Sequence, residues 1–199
     1  MKTFRILFSL FIFFIFLNCV RAEEDKKLNT SQVVLVVASE PISFVKKGDT
    51  SSAEYFSVHH TKVFGYDGHD QLPGVDNYHK EINFSRSELG HNAGYNFFID
   101  WDGTLTQTRK IGEKTCAQLH HNWTNKNDSD TITVCLAGDF NLQLPNEKQK
   151  LTLIELIKAI KKDYPKVKII LAKELSGDRN CPGDKFTRDY LEKQILKGI

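Results

Sequence analysis

Two strand-like segments with a long amphipathic helix between them restrict the fold of this chain more than any other feature. Residues 131–137 read Thr-Ile-Thr-Val-Cys-Leu-Ala, which is the pattern of a buried strand, and residues 167–171 form a second short apolar run. Between them, residues 145–164 repeat apolar side chains at helical spacing, and Pro165 ends the helix. The apolar stripe consists of Leu151, Leu153, Ile154, Leu156, Ile157 and Ile160. A strand–helix–strand order is typical of a sheet covered by helices.

Three further segments predict additional strands. Residues 32–38 are a continuous apolar run of strand length, and residues 55–61 alternate apolar and polar side chains up to His59 and His60. Residues 92–109 predict a β-hairpin, because Asp102-Gly103 suits a tight turn and β-prone residues flank it on both sides. The alternating run therefore predicts a buried strand with a histidine side chain at its end.

The remaining segments complete the expected architecture. Residues 76–83 predict a short helix with Asp76 as its N-cap, and residues 184–196 predict a closing helix. Residues 62–75 form a long loop of the kind that often lines a site, and residues 110–130 are expected to be a surface excursion. We therefore predict one α/β (α+β) domain with a central mixed sheet flanked by helices.

The N-terminal residues predict export. Lys2 and Arg5 precede a twelve-residue apolar run, and Val20-Arg21-Ala22 fits a small-residue cleavage site. A membrane helix needs about 20 apolar residues, so we expect a cleaved signal peptide at 1–22 and no transmembrane segment in the mature chain. Cys19 leaves a lipid-attached form as an alternative. Residues 23–31 are expected to form a flexible leader, residues 32–199 the domain, and the mature protein to be secreted or periplasmic.

The overall charge excludes one class of partner. The formal net charge is +2 and the isoelectric point is near 8.3. Nucleic-acid binding calls for a strongly basic, clustered face, so we expect no nucleic-acid partner. We also expect the protein to be a monomer.

Three cysteines remain after the signal peptide, namely Cys116, Cys135 and Cys181. An odd number in an oxidising compartment leaves at least one thiol outside any disulfide. Cys135 fits either a disulfide with Cys116 or a small apolar residue in a buried strand. Imidazole and thiolate are both zinc ligands, which makes Cys181 and His59 a candidate metal pair, but a catalytic zinc normally has three protein ligands and a water.

Four motifs resemble those of the zinc amidase and peptidoglycan-recognition family, in its order and at about its spacing across residues 55–190. The family includes phage-type and bacterial N-acetylmuramoyl-L-alanine amidases and their animal relatives. The motifs are Val58-His59-His60-Thr61; Gly94-Tyr95-Asn96-Phe97-Phe98-Ile99 with Asp102-Gly103-Thr104; Ile132-Thr133-Val134-Cys135-Leu136-Ala137-Gly138-Asp139-Phe140; and Cys181-Pro182-Gly183-Asp184-Lys185-Phe186.

The resemblance implies a zinc site with one ligand missing. It makes His59 and Cys181 ligands, and it places Ala172 where the family has its second histidine. A methyl group cannot coordinate a metal. Either another side chain completes the site or the centre has decayed and only a binding groove persists; the candidates for a replacement ligand are His60, His120, His121 and Lys173.

The resemblance also implies an activity and its residues. The expected reaction is hydrolysis of the amide bond between N-acetylmuramic acid and L-alanine by a zinc-activated water. Tyr95 matches the family's assisting tyrosine, and Arg179 stands where an assisting Lys or Thr occurs. A set of four residues is expected to contact the substrate, namely His60, Asn96, His121 and Trp123. The alternative is a catalytically impaired protein that only binds peptidoglycan.

Overall fold

The computed structural model describes residues 41–48, 52–115, 130–176 and 180–199. The predicted signal peptide, the leader and the strand at 32–38 lie outside these residues. The contacts between residues divide the chain into two units, Met1–Pro41 and Ile42–Ile199. The elements described below belong to Ile42–Ile199.

Five strands form one sheet in the order β3-β2-β4-β1-β5. The strands are β1 (Tyr55–His60), β2 (Phe97–Ile99), β3 (Leu105–Gln107), β4 (Thr131–Leu136) and β5 (Lys168–Leu171). β1 pairs in parallel with β4 and β5, β2 pairs in parallel with β4, and β2 and β3 form the antiparallel hairpin. The predicted mixed sheet is confirmed, and β4 occupies its centre.

One face of the sheet carries the main hydrophobic core. Phe56 and Val58 of β1 point to this face with alternate residues of the other strands, since side chains along a strand alternate between faces. Helix α2 (Glu147–Asp163) covers them, as its apolar stripe predicts. Its N-terminus has a capping box in which Asn146 and Gln149 each accept from the other's backbone N–H. The buried side chains of α2 are Gln149, Thr152, Leu153, Leu156, Ile157 and Ile160.

Helix α1 (Leu72–Glu81) covers part of the opposite face. Phe98, Cys135 and Ala137 point to this side and form a smaller buried cluster. Leu72 and Val75 of α1 pack against that cluster, together with Tyr95 and Trp101. The two faces differ in how much of each is covered. The second face is covered by one short helix, which leaves room for a surface groove.

The predicted bounds of α1 were wrong at its N-terminus. The helix begins at Leu72, four residues before the predicted cap at Asp76, and Gln71 is its N-cap. The distant Asp100 carboxylate accepts from the backbone N–H of Gln71 at 3.0 Å and of Leu72 at 3.3 Å. The adjacent Asp70 also accepts from the Leu72 N–H, at 3.1 Å, so a local and a remote carboxylate together cap the helix. Pro73 is tolerated in the first turn.

The C-terminal elements are short. The predicted helix at 184–196 is a turn of helix α4 (Arg188–Tyr190) that continues as a π-helical segment, Leu191–Ile195. Helix α3 (Ala172–Ser176) directly follows β5. Thr187 caps α4 by accepting from the Tyr190 N–H at 3.0 Å. Among the described helices, none has the length and apolar character needed to cross a membrane.

Arg109 is the largest fully buried side chain among the described residues, and it is 2% exposed. Its guanidinium donates to the carbonyl of Ala93 at 2.7 Å and to that of Ser85, and it lies over the Phe84 ring at 4.5 Å. The chain from Phe84 to Ala93 is thereby tied to the end of the hairpin. Tyr95 lies two residues further along the chain, so Arg109 fixes the segment that positions it.

We predict that Arg109→Met destabilises the protein by roughly 3 kcal/mol, because methionine fills much of the volume but leaves buried carbonyls without donors. Urea unfolding followed by circular dichroism measures the change. Arg86→Met at an exposed position is the matched control and should change stability by less than about 0.5 kcal/mol. Equal effects of the two substitutions would contradict the structural role of Arg109.

Candidate functional site

His59 and Cys181 are brought together from opposite ends of the domain. The Nδ1 atom of His59 lies 3.6 Å from the Sγ atom of Cys181. On the other side of the ring, Nε2 lies 2.9 Å from the hydroxyl of Ser57, two residues earlier on the same face of β1. The imidazole is only 7% exposed, so these two contacts fix its orientation. The Ser57 contact leaves Nδ1 directed at the thiol.

Backbone contacts hold the loop that carries Cys181. The Lys173 N–H donates to the Cys181 carbonyl at 2.7 Å, and the Lys173 ammonium donates to the Gly183 carbonyl at 2.8 Å. Gly183 packs directly against the backbone of Phe140, where an added Cβ would lie 2.4 Å from the carbonyl carbon. Only glycine permits this approach, which explains the Cys-Pro-Gly sequence at this point.

Ala172 stands at the same edge of the sheet. In the parallel pairing of β1 with β5, Val58 is opposite Leu171, and the next residues of the two segments are His59 and Ala172. Ala172 is buried, and the following residue contacts Cys181. The position that the resemblance gives to a third ligand is therefore beside the His59–Cys181 pair, and it carries a methyl group.

The described donors do not make a complete catalytic zinc site. Tetrahedral zinc with a nitrogen at about 2.1 Å and a sulfur at about 2.3 Å separates these ligand atoms by about 3.6 Å, so the pair fits two corners. Ser57 would hydrogen-bond the other ring nitrogen of the ligand histidine and fix its orientation, as polar partners of metal ligands do. Within the described ranges, however, no three His, Cys, Asp or Glu side chains are grouped to hold a metal. The 3.6 Å separation equally suits a thiol–imidazole hydrogen bond.

His60 points to the opposite face from His59. Its Nδ1 accepts from the Phe140 N–H at 3.0 Å, and its ring packs on the Phe140 ring with 5.7 Å between centroids. Burial lowers the pKa of His60 to about 4, with the charges of Lys62 and Lys173 acting in the same direction and that of Asp139 opposing them. His60 is therefore a neutral core residue on the side away from the thiol.

Lys173 is likewise engaged, since its ammonium binds the Gly183 carbonyl. His120 and His121, the other candidates for a third ligand, lie outside the described residues. Arg179, Trp123 and Cys116 also lie outside the described residues, and so does the Cys116–Cys135 disulfide that is one alternative for Cys135. Their roles stay predictions.

Tyr95, from the second of the four motifs, lies beside His59. Its ring lies 5.4 Å from that of His59 and 5.8 Å from that of His79, centroid to centroid. Its side chain is half-buried, and its carbonyl accepts from the Thr108 hydroxyl at 2.6 Å. Three predicted site residues, His59, Tyr95 and Cys181, are thus neighbours.

A groove of about 330 Å³ runs between α1 and the sheet and reaches this group through Tyr95 and Cys135. Cys135 is the residue opposite His59 in the β1–β4 pairing. We call this cavity the α1 groove, and its lining is Thr61, Val63, His69, Asp70, Gln71, Gly74, Val75, Tyr78, His79, Tyr95 and Cys135. Its lining combines apolar side chains such as Val63 and Val75 with polar ones such as Gln71 and His79, as small-molecule sites do.

Gln71 and Asp100 fix the wall of the α1 groove. The Gln71 side chain accepts from the Thr61 hydroxyl at 2.6 Å and donates to the Val63 carbonyl at 3.2 Å. Burial raises the pKa of Asp100, and a hydrogen bond with Asp70 adds to this, against the opposing effect of the backbone N–H donors of Trp101, Gln71 and Leu72. Burial also lowers the pKa of His79, so the groove carries a neutral imidazole near Tyr95.

Asn96 is placed differently from its predicted role. Its side chain is fully buried, donates to the Lys110 carbonyl at 2.9 Å and accepts from the Thr133 N–H at 2.9 Å. These contacts join β4 to the start of β2, so we assign Asn96 to the fold and not to substrate contact.

Ser57 and most of the α1 groove were not predicted from the sequence. Ser57 was detectable, since residues two apart on a strand share a face. The lining of the groove was not, because Tyr78 and His79 line it only through the packing of α1 on the sheet.

Comparison with family sequence models identifies the family of this chain. The sequence model of the family described as N-acetylmuramoyl-L-alanine amidase matches residues 49–184. A search of curated proteins found no match.

Solved structures share the fold at low sequence identity. The amidase endolysin LysCS from Clostridium intestinale is 18% identical with a TM-score of 0.55, over 80% of this chain and 99% of its own. Bumblebee PGRP-SA is 17% identical with a TM-score of 0.58, over 79% of this chain and 90% of its own. A mutant of Drosophila PGRP-LB in complex with tracheal cytotoxin is 20% identical with a TM-score of 0.56, over 79% of this chain and 90% of its own.

We predict that acid destabilises the protein through His60. The unfolded chain takes up the proton near the ordinary pKa of 6.5, whereas the folded protein does so only near 4. Above pH 6.5 the residue has no effect, and between these values the free energy of unfolding should fall by about 1.4 kcal/mol per pH unit, to a total of about 3 kcal/mol. Urea unfolding at a series of pH values measures the slope.

His60→Asn is the variant that tests this assignment. The Asn side-chain oxygen can still accept from Phe140 N–H, but it does not titrate. The slope between pH 6.5 and 4 should therefore decrease, with a remainder of the same sign from buried His79. An unchanged slope would assign the acid sensitivity to other groups.

Proposed function

Since the chain belongs to the N-acetylmuramoyl-L-alanine amidase family, we propose that it binds peptidoglycan through the α1 groove as a recognition protein. The observation that carries this proposal is Ala172 beside His59 and Cys181, where a third metal ligand is needed. Binding in the groove requires no metal, whereas zinc-dependent hydrolysis requires one ligand more than the described residues supply.

The chemistry of the groove supports a muropeptide as ligand. Val63 and Val75 give it apolar walls, and Tyr78 is 59% exposed and offers a broad ring. Thr61 and Asp70 supply hydroxyl and carboxylate groups at its rim. A peptide stem presents apolar side chains, which can pack on the apolar walls, and amide N–H groups, which can donate to the hydroxyl and carboxylate oxygens.

Hydrolysis of the bond between N-acetylmuramic acid and L-alanine is the second candidate. The 3.6 Å separation between His59 Nδ1 and Cys181 Sγ favours it, because two ligands of one zinc have this spacing. His120 or His121 would have to supply the third ligand. Because the described donors are incomplete, we derive no catalytic step through a metal.

We also propose that the protein acts outside the cytoplasm. The proposal rests on the basic and apolar N-terminal pattern followed by Val20-Arg21-Ala22. Peptidoglycan is an extracytoplasmic polymer, so export would bring the groove to its ligand.

The first test is sedimentation of the mature protein with insoluble peptidoglycan at neutral pH with added zinc, combined with an assay for released stem peptides. We expect the protein to sediment with the wall and to release no peptide. Release of peptides would support the second candidate over recognition alone. Failure to sediment would reject both.

Tyr78→Ala should weaken binding of a soluble monomeric muropeptide about tenfold, or about 1.4 kcal/mol, because the variant removes an aromatic ring from the groove. Isothermal titration calorimetry measures the affinity. Ile82→Ala is the matched control, since Ile82 is similarly exposed at 51% and lies just after the same helix but outside the groove. Equal losses in both variants would place the ligand elsewhere.

Ala172→His should create a zinc site. The wild-type protein should bind zinc weakly, and a chelator should leave its unfolding midpoint unchanged. With three protein donors the variant should bind about one zinc per chain and gain stability when zinc is added. Metal analysis and thermal unfolding with and without zinc measure this.

The control for that variant is Ala172→His combined with Cys181→Ser, in which the gain should disappear. If the wild-type protein already held one zinc as tightly as Ala172→His does, a side chain outside the described residues would complete the centre. Recognition without hydrolysis would then lose its main support.

A further inference from the structure

An Asn-X-Ser sequence lies directly after helix α1. Residues 83–85 read Asn-Phe-Ser, which is the acceptor pattern for attachment of a glycan to asparagine in secreted proteins. The same pattern occurs at Asn29, Asn122 and Asn127, which lie outside the described residues. So short a pattern arises often by chance. Whether Asn83 can serve as an acceptor therefore depends on its surroundings in the fold.

The backbone of Asn83 is fixed by the end of α1. The Asn83 N–H donates to the Lys80 carbonyl at 3.0 Å, and the next N–H along the chain donates to the His79 carbonyl at 2.9 Å. These two bonds form a Schellman motif, in which the residue after the helix cap takes a left-handed conformation. Asn83 has that conformation, with a φ of +59°. The motif requires a residue that tolerates a positive φ, and glycine would meet this requirement better than asparagine.

The side chains of Asn83 and Ser85 are not used by the fold. Both residues are exposed, and within the described part of the chain neither side chain makes a hydrogen bond. Phe84 between them is 9% exposed, and its ring lies 6.1 Å from that of His79. The Ser85 carbonyl accepts from the Arg109 guanidinium. The backbone of the tripeptide is therefore anchored, while the two side chains that define the acceptor pattern are exposed to solvent.

Asn83 differs in this respect from the other asparagines that the structure describes. Each of the others donates a hydrogen bond from its side-chain amide to a protein oxygen; they are Asn77, Asn92, Asn96, Asn141, Asn146 and Asn180. Five of those six amides hold loops, helix ends or strands together through residues that are not helix neighbours, and the sixth, Asn77, bonds to Glu81 within α1. The Asn83 amide is thus available for a covalent bond that would break no contact of the fold.

We propose that Asn83 is an N-glycosylation site of the exported protein. The co-substrate is a lipid-linked oligosaccharide, whose anomeric carbon is attacked by the Asn83 side-chain nitrogen. A carbon–nitrogen bond forms, the bond from the anomeric carbon to the lipid pyrophosphate breaks, and the amide nitrogen loses one proton. The inference rests on the proposed export of the chain. It does not depend on whether the α1 groove binds peptidoglycan.

The glycan would be attached outside the α1 groove. Among the residues of α1, the lining of the groove extends no further than His79, whereas Asn83 lies beyond the last residue of the helix. Ile82 directly precedes Asn83 and is 51% exposed. A bulky, solubilising glycan at Asn83 would therefore lie next to an exposed apolar side chain and leave the groove open.

The test is peptide analysis of the full chain secreted from a eukaryotic cell line. The peptide that contains Asn83 is examined by mass spectrometry before and after treatment with peptide N-glycosidase in heavy-oxygen water, which converts a glycosylated asparagine to labelled aspartate. We expect a glycan on Asn83 and the label after its removal. If residues 1–22 do not direct secretion, a heterologous signal peptide replaces them, so that failure of export and failure of modification are distinguished.

Three variants test the acceptor pattern without disturbing the fold. Asn83→Gly keeps the left-handed residue of the Schellman motif and should lose the glycan. Ser85→Ala leaves the asparagine in place, removes the hydroxyl two residues later and should also lose it. Ser85→Thr is the matched control, because it retains the hydroxyl and should remain glycosylated. Thermal unfolding of each secreted variant verifies that the fold is retained.

Two results would overturn the proposal. The first is a secreted wild-type protein in which the Asn83 peptide carries no glycan. The second is a modification of that peptide that persists in Ser85→Ala, since it would not depend on the acceptor pattern. Glycans at Asn29, Asn122 or Asn127 do not affect either result, because the peptide that contains Asn83 is measured separately.

Discussion

The parallel pairing of β1 with β4 and β5 is the constraint on which the site depends. It aligns Val58 with Leu171 and His59 with Cys135, so the carboxyl ends of three strands meet at one edge. The alternation of side chains along β1 then separates two adjacent histidines, since His59 lies on the face of the sheet that carries the α1 groove and His60 faces the core. A shift of one residue in this register would exchange them and would place the imidazole of His60 beside the Cys181 thiol.

The opposite wall depends on a few polar contacts between residues far apart in sequence. Asp100 at the end of β2 caps α1, and Gln71 ties the preceding loop to Thr61 and Val63. Because one short helix covers this face, the sheet is left partly open and a groove results. The same Gln71 also donates to the Phe64 carbonyl at 3.3 Å, so one buried amide holds this loop at several points.

Local patterns were sufficient to predict the strands at 55–61 and 131–137, the hairpin and the long helix, because each has its own periodicity or turn chemistry. The pairing of His59 with Cys181 came from motifs in the family's order, and their side chains are neighbours in the structure. The start of α1 was misplaced because the predicted cap, Asp76, instead accepts from His91 and Ala93. The Leu72 N–H donates to the nearby Asp70, which is a local signal, and to the distant Asp100, which no local pattern indicates. The burial of Arg109 could not be predicted either, because no local pattern indicates that its charged side chain donates to carbonyls distant in sequence.

Protein contacts alone hold the loop that carries Cys181. Lys173 bonds to the carbonyls of both Cys181 and Gly183, and Asn141 accepts from the Asn180 side chain at 3.0 Å and the Asp184 N–H at 3.2 Å. The position of the loop therefore does not require a metal. No described residue of this loop lines the α1 groove, so the shape of the groove does not depend on a metal at Cys181 either.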